Sequence, residues 1–239
     1  MKPGAMGLLD HLEELRWTLL KMLLLLAAGA VAGWFVYDPA FHLLMRPIQS
    51  LRPAPKLVTV APADAFNVKL TLSVLLGLCL TLPGHLCLAW RFVSPGLKDA
   101  EKRAFLWAAT AGTVFFCGGM AFGYSLLGFI INVLISFTPE TVQPLWRFDA
   151  CISFTFRLLL AFGLLFELPV IVVTLTGLGL VRASTLARIR PHMILAIFIL
   201  AAILTPPDVL SQVFLAVPLV LLYELSLLAC RFVERRLGY

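Results

Sequence analysis

The sequence predicts an all-α, polytopic membrane protein, because it has too few polar residues for a water-soluble globule and its apolar runs are long enough to cross a bilayer. Apolar residues make up 61% of the 239 residues, and charged residues only 13%, whereas about a quarter of a typical soluble domain is charged. A helix needs roughly 20 apolar residues to cross the hydrocarbon layer. Since the apolar runs are continuous rather than alternating, we expect helices and not β-barrel strands.

The chain begins with a predicted interfacial helix over residues 6–21. Its leucines recur at helical spacing, and its charged residues take the other faces; the leucines are Leu8, Leu12, Leu15 and Leu19. The first span follows at about 18–36. Acidic residues precede this span, and it is longer than the apolar core of a secretory signal, so we interpret it as a retained span.

The remaining spans follow a proline-rich segment, Pro39–Pro62, which is predicted to be an external loop with little regular structure. They are predicted at about 66–90, 105–131, 153–177, 191–204 and 209–229, so that one transmembrane domain covers residues 1–239. Only about 13 residues separate Pro191 from Thr205, or roughly 20 Å of helix. A fifth span this short predicts a thinned bilayer or strong packing against its neighbours.

The distribution of basic residues predicts the orientation of these six spans. Four lie near the span ends on one side: Arg46, Arg52, Lys56 and Arg147. Thirteen lie on the other: Lys2, Arg16, Lys21, Arg91, Lys98, Lys102, Arg103, Arg182, Arg188, Arg190, Arg231, Arg235 and Arg236. The excess places both termini in the cytoplasm. The net charge of +6 therefore reflects topology, and nucleic-acid binding is not predicted.

Motifs of hydrolases, of phosphate-binding enzymes and of metal sites are missing from the sequence. There is no Walker loop and no HExxH, and Gly123–Leu127 lacks the second glycine of a nucleophile elbow. The five cysteines are scattered without metal-binding spacing, and the four histidines fall in separate segments. We therefore expect no enzyme, no cofactor and no metal.

Two features of the spans suggest specific roles. The glycine pairs Gly29/Gly33 and Gly119/Gly123 allow close helix approach, either within the bundle or between copies of the chain. Glu167 lies about 14 residues into the fourth span, where a carboxylate costs about 2.5–3.5 kcal/mol. Arg157 is ten residues away on the same helix and cannot be its direct partner. Glu167 is thus either hydrogen-bonded inside the bundle or exposed to a polar cavity that faces a partner or a substrate.

Five segments, taken together and in order, closely resemble the TatC family, whose members are receptor subunits of the twin-arginine protein translocase. They are His11–Arg16, Phe92–Leu97 with Glu101 and Arg103, Phe162–Val170, Thr205–Asp208 with Ser211 and Gln212, and Leu222–Glu224. The resemblance covers almost the whole chain. It implies a cupped bundle of six spans in a bacterial-type cytoplasmic (inner) membrane. It also implies export of folded proteins with twin-arginine signal peptides, driven by the proton-motive force.

The resemblance also implies roles for particular residues. Glu14 and Glu101 match the positions that recognise the two arginines, and Arg16, Phe92 and Arg103 match positions that affect this recognition. Glu167 matches the polar residue of the concave face. Thr205 and Gln212 match a patch where the single-span partners TatA and TatB dock, and other copies of the chain are also implied partners. The external positions tied to function are Pro47, Asp149 and Asp208.

The sequence departs from the family at Glu13, where many members carry an apolar residue. Glu13 is therefore a second candidate carboxylate beside Glu14, and the assignment to Glu14 rests on its alignment with Leu15 and Arg16. Two other function classes stay open from the residues alone: a proton-coupled small-solute transporter with Glu167 as the ion-binding group, and a purely structural membrane scaffold.

Overall fold

The computed structural model describes residues 8–51, 55–93, 99–139, 145–204 and 209–237. Helices dominate these ranges, as predicted. They are α1 Leu8–Phe35, α2 Tyr37–Gln49, α3 Asp64–Val93, α4 Asp99–Ser136, α5 Phe148–Leu165, α6 Glu167–Gly177, α7 Ala183–Arg188, α8 Arg190–Leu204 and α9 Val209–Leu237. Two strands accompany them, β1 Lys56–Val58 and β2 Leu145–Arg147.

Five helical segments in the described part of the chain have the length and composition to cross a membrane. They are His11–Phe35, Asp64–Phe92, Trp107–Ser136, Phe148–Gly177 and Gln212–Arg236. The predicted fifth span corresponds to α8, a shorter apolar helix. The nearly all-helical membrane architecture is confirmed.

The separate interfacial helix predicted for residues 6–21 is wrong. From Leu8 the chain forms one continuous helix, α1, which ends at Phe35. Strong helix formers such as Leu, Arg, Lys and Met occupy the junction near residues 16–23, and neither proline nor glycine interrupts them. The amphipathic segment at the beginning and the first span are therefore two parts of the same helix.

The prediction of an irregular loop between the first two spans is also wrong. Residues Tyr37–Gln49 form the amphipathic helix α2, which buries Leu44, Met45 and Ile48. Further along, β1 pairs in parallel with β2, which precedes α5. The run of prolines is typical of a loop. Pro39, however, lies in the first turn of α2, where a missing N–H removes no helical hydrogen bond.

Pro47 lies inside α2, where it cannot donate a hydrogen bond to the carbonyl of Leu43. The Tyr124 hydroxyl of α4 donates to that carbonyl instead, at 2.8 Å. The proline thus creates an acceptor that ties α2 to the neighbouring helix.

The fourth predicted span is divided at Phe166 into α5 and α6. Pro169, in the first turn of α6, removes the hydrogen bond that the carbonyl of Leu165 would accept. The division places Glu167 at the start of α6, in the middle of the apolar segment Phe148–Gly177.

Glycines allow α1 and α3 to touch along their backbones. A Cβ on Gly29 would lie 2.6 Å from the carbonyl oxygen of Gly77, and a Cβ on Gly77 would collide with the backbone of Gly29 and Ala30. On the same two helices, His85 Nε2 lies 3.1 Å from the carbonyl oxygen of Met22. The Gly29/Gly33 pair therefore serves packing within the bundle.

The second glycine pair brings α4 against α5. Gly119 and Gly123 face Phe162, and a Cβ on Gly119 would lie 2.5 Å from the Phe162 carbonyl oxygen. Phe162 is fully buried in the main core cluster, which includes Leu215 and Tyr223 of α9. This contact holds α4 beside the division at Phe166.

We expect Gly77→Ala to lower the free energy of unfolding by roughly 1–3 kcal/mol, the usual cost of overpacking. The added methyl group has no space between the backbones of α1 and α3. Thermal denaturation in mild detergent measures the effect. Gly118→Ala is the matched control, because a Cβ on Gly118 meets nothing within 4 Å. Equal melting temperatures for the two variants would contradict the close packing.

Candidate functional site

An aromatic stack joins the beginning of α1 to the end of α3. The rings of His11 and Phe92 lie with centroids 4.6 Å apart and an interplanar angle of 17°. Phe92 is half-buried and His11 is exposed. The stack brings together two of the sequence segments that carry the family resemblance, His11–Arg16 and Phe92–Leu97.

Glu14 lies one helical turn after His11, on the same side of α1. Its side chain is half-buried, and its Oε2 is buried without a hydrogen-bond partner among the described residues. Glu13 and Arg16 are both exposed. Because burying an unpaired carboxylate oxygen is costly, Glu14 is the carboxylate here that gains most from an added donor.

Glu101 and Arg103 lie in the first turns of α4. Their side chains and residues 94–98 lie outside the described part of the structure. The backbone nevertheless constrains them, because α4 begins six residues after Val93 and such a segment spans at most about 20 Å. The start of α4 therefore belongs to the same end of the bundle as the His11–Phe92 stack.

Glu167 is buried, with 6% of its surface exposed. The Glu167 carboxylate lies against Gly112 of α4. A Cβ added at Gly112 would lie 2.7 Å from Glu167 Oε2 and 2.8 Å from the side chain of Leu86 of α3. Oε1 has no hydrogen-bond partner among the described groups. Arg157 is exposed on α5. The helix division and the small residue on α4 thus create a buried carboxylate whose Oε1 has no partner among the described groups.

Gln212 links the short helix α8 to α9. Its Nε2 donates to the carbonyl oxygen of Phe198 at 3.0 Å. Thr205 and Asp208, the other predicted residues of this region, lie outside the described residues. The side-chain amide of Gln212 is therefore engaged in holding the two helices together.

At the opposite end of the bundle, Asp149 pairs with Arg147. Arg147 Nη2 lies 2.7 Å from Asp149 Oδ2, and Nε donates to Oδ1 at 3.1 Å. These hydrogen bonds raise the pKa of the Arg147 guanidinium. Asp149 lies in the first turn of α5, where a negative charge also favours the helix terminus.

The structural contacts of Asp64 and Lys69 were not predicted from the sequence. Asp64 is buried at the start of α3, and its Oδ2 accepts from the backbone N–H groups of Val60 and Ala61 at 2.9 and 2.8 Å. The ammonium of Lys69 lies 4.6 Å from the ring centroid of Trp34. Asp64 had a detectable signal, since an acidic residue at a predicted helix start is a common cap. The contacts of Lys69 depend on the tertiary fold.

In the described ranges no group of three or more His, Cys, Asp or Glu side chains is arranged to hold a metal ion.

Comparison with known proteins places these features in a family. Residues 10–218 match the family model described as Sec-independent protein translocase protein (TatC). The TatC protein of Carboxydothermus hydrogenoformans is 34% identical over 98% of this chain and 96% of its own length. That of Aquifex aeolicus is 31% identical over 97% of each.

The fold is similar to that of solved TatC structures as well. A crystal structure of the twin-arginine translocase receptor TatC in the detergent DDM superimposes with a TM-score of 0.84 at 32% identity, covering 91% of this chain and 98% of the other. A second TatC crystal structure gives a TM-score of 0.83 at 30% identity, covering 94% and 99%.

The chain therefore belongs to the TatC family of Sec-independent protein translocase proteins: it is a membrane-embedded component of the twin-arginine translocase, serves protein transport, and is not an enzyme in the usual sense.

Proposed function

We propose that this chain is the signal-peptide receptor of its translocase, and that it reads the two arginines of a precursor with Glu14 and Glu101. One observation carries the proposal: beside the stack of His11 on Phe92, the Oε2 of Glu14 is buried and has no hydrogen-bond partner among the described residues. A buried carboxylate oxygen without a donor is a site to which a guanidinium adds hydrogen bonds.

The chemistry favours arginine over lysine. A guanidinium is planar and can donate two parallel hydrogen bonds to one carboxylate, which an ammonium cannot do. Glu14 and Glu101, presented from α1 and α4, each offer one carboxylate. Two such pairs discriminate Arg-Arg from Lys-Lys. Arg16, Phe92 and Arg103, which lie near the two glutamates in the sequence, modulate the recognition.

The two pairs do not supply the whole affinity. Even at about 1.5–3 kcal/mol for each charge-assisted hydrogen-bonded pair, two pairs fall short of the roughly 8 kcal/mol of micromolar binding, and Glu14 is only half-buried. Leucines of α1 are exposed one to three turns beyond Glu14, including Leu19 and Leu23 at 56% and 62%. We infer that the apolar stretch of the signal peptide lies against such surfaces and supplies much of the binding energy.

The orientation belongs to the same proposal. Both termini lie in the cytoplasm and α8 is the fifth of six crossings, although its 15 residues reach only about 22 Å. The excess of basic residues at one end of the bundle supports this topology. The membrane is the cytoplasmic membrane of a bacterial-type cell, and the proton-motive force drives transport.

The short helix suggests where partners bind. We infer that α8, with Gln212 and Thr205, forms the surface on which single-span subunits of the TatA and TatB type dock, and that further copies of the chain join the complex. Leu195, Ile199 and Ile203 of α8 are exposed by 52–68%, which leaves an apolar face for a neighbouring helix. Pro47, Asp149 and Asp208 organise the external end of the bundle. The hydrogen bond of Tyr124 to the carbonyl that Pro47 leaves free and the ion pair of Asp149 with Arg147 support that role.

Glu167 provides a polar group within the bilayer that meets a partner or the passing signal peptide. The burial of Glu167 and its free Oε1 also suit the rival function, a proton-coupled small-solute transporter. The two functions differ in what the purified chain does alone. In vesicles without partner subunits, a transporter carries solute, whereas a translocase receptor does not.

We expect Glu14→Gln to weaken binding of a twin-arginine signal peptide about tenfold or more. A charge-assisted hydrogen bond contributes about 1.5–3 kcal/mol, and 1.4 kcal/mol corresponds to a factor of ten. Photocrosslinking of a labelled peptide to the full chain in membranes measures binding, and Glu101→Gln should act similarly.

Glu13→Gln is the matched control, because Glu13 neighbours Glu14 but is exposed. It should leave crosslinking unchanged. If Glu14→Gln and Glu13→Gln bind the Arg-Arg peptide equally well, Glu14 is not the reader of the signal.

We expect Gly112→Ala to impair export as strongly as Glu167→Ala, because the added methyl group displaces the Glu167 carboxylate. Transport of a reporter into inverted membrane vesicles containing the partner subunits measures this. Gly118→Ala on the same helix is the control and should transport normally. Full transport by Gly112→Ala would show that the position of the Glu167 carboxylate is unimportant.

For the docking surface, we expect disulfides between cysteines placed along the exposed face of α8 and cysteines in the partner helix, recurring at three- and four-residue spacing. Oxidative crosslinking in membranes, read by gel mobility, reports them. Cysteines at buried positions such as Ile197 should not crosslink. Crosslinks restricted to the first two spans would refute this location.

A further inference from the structure

A groove of about 600 Å³ lies between α4, α6 and α9, apart from Glu14 and Glu167. Its walls are apolar and include Ala111 and Phe115 of α4, Val170 and Val173 of α6, and Leu225 and Ala229 of α9. The Ser226 hydroxyl in the wall is already bonded, because it donates to the Leu222 carbonyl at 2.7 Å. Thr174 is the other hydroxyl-bearing residue of the lining, and the remaining lining residues are apolar or glycine apart from Trp107, so the groove suits an occupant that is largely apolar along its length.

One end of the groove is marked by an aromatic and a basic residue. Trp107, near the beginning of α4, lines the groove and is 77% exposed; tryptophan is enriched at the level of lipid headgroups. Leu225, Ala229, Phe232 and Arg236 recur at spacings of four, three and four, so they share one face of α9. Arg236 thus lies about two turns beyond the last wall residue, at the same end as Trp107.

The guanidinium of Arg236 is held in a defined position. Its central carbon lies 4.8 Å from the centroid of the Phe232 ring, a cation–π contact that favours the positive charge there. The neighbouring Arg235 belongs to a different face of α9, 100° around the helix. The face of α9 that lines the groove consequently continues to a positioned positive charge at Arg236.

We propose that this groove binds an anionic phospholipid, with an acyl chain between α4, α6 and α9 and the headgroup phosphate at Arg236. The size supports a chain rather than a helix. Small-molecule sites enclose about 300–1,000 Å³, whereas a membrane-spanning helix 30 Å long and 10 Å wide occupies roughly 2,400 Å³. The combination of an apolar slot and a terminal cation matches the two parts of a lipid.

To test this proposal, the full chain is placed in phosphatidylcholine nanodiscs that contain increasing fractions of phosphatidylglycerol. Native mass spectrometry then counts the lipid molecules that stay bound when the protein is released from the nanodisc. We expect Arg236→Gln to reduce the preference for phosphatidylglycerol about fivefold, the effect of one basic residue near an anionic headgroup. Arg235→Gln is the matched control and should leave the preference unchanged. Equal losses in both variants would overturn the proposal in favour of general surface charge.

A second pair of variants tests the apolar slot. Ala229→Phe fills the groove and should reduce retention of both lipids, whereas Leu221→Phe, at an exposed position elsewhere on α9, should not. If Ala229→Phe is unstable, Ala111→Leu fills the groove from the α4 side instead and should likewise reduce retention of both lipids. Unchanged lipid retention in the filled variants would overturn the assignment.

Discussion

The whole structure depends on one constraint: hydrocarbon offers no hydrogen bonds, so each polar group within a span needs a partner from the protein. Hydroxyl groups meet this requirement locally by donating to the carbonyl four residues earlier. Ser73, Thr81, Thr113, Thr155, Thr176 and Ser226 do so. Against this background, Glu14 Oε2 and Glu167 Oε1 are exceptions, because neither has a hydrogen-bond partner among the described residues. The function we propose is assigned to these exceptions.

The backbone contact between α1 and α3 connects that constraint to the receptor end. Because Gly29 and Gly77 let the two helices touch, the beginning of α1 is carried to the end of α3, where His11 stacks on Phe92. Glu14 is thereby held half-buried at a fixed position. A carboxylate that is already held in its binding position loses little conformational entropy when a guanidinium binds. This preorganisation favours selective recognition.

Continuous apolar runs predicted most of the spans, because the thickness of the bilayer sets the number of apolar residues that a helix needs to cross it. Prediction failed where tertiary contacts decided the outcome. The prolines of Tyr37–Gln49 resembled loop residues, yet one occupies a helical first turn and Pro47 leaves a carbonyl that Tyr124 binds. The β1–β2 pairing joins segments about 90 residues apart, which no local pattern reveals. For the site, the motifs identified Glu14 and Glu167, whereas the contact of Gly112 with Glu167 emerged only from the fold.

We propose that this chain selects paired arginines and commits the precursors that carry them to export. Cells that lack their own TatC and receive this chain with its cognate single-span partners provide the test. A folded reporter with an Arg-Arg signal should then appear outside the cytoplasmic membrane, while the same reporter with Lys-Lys should remain inside. Equal export of the two reporters, or retention of both although the chain is assembled in the membrane, would contradict the account.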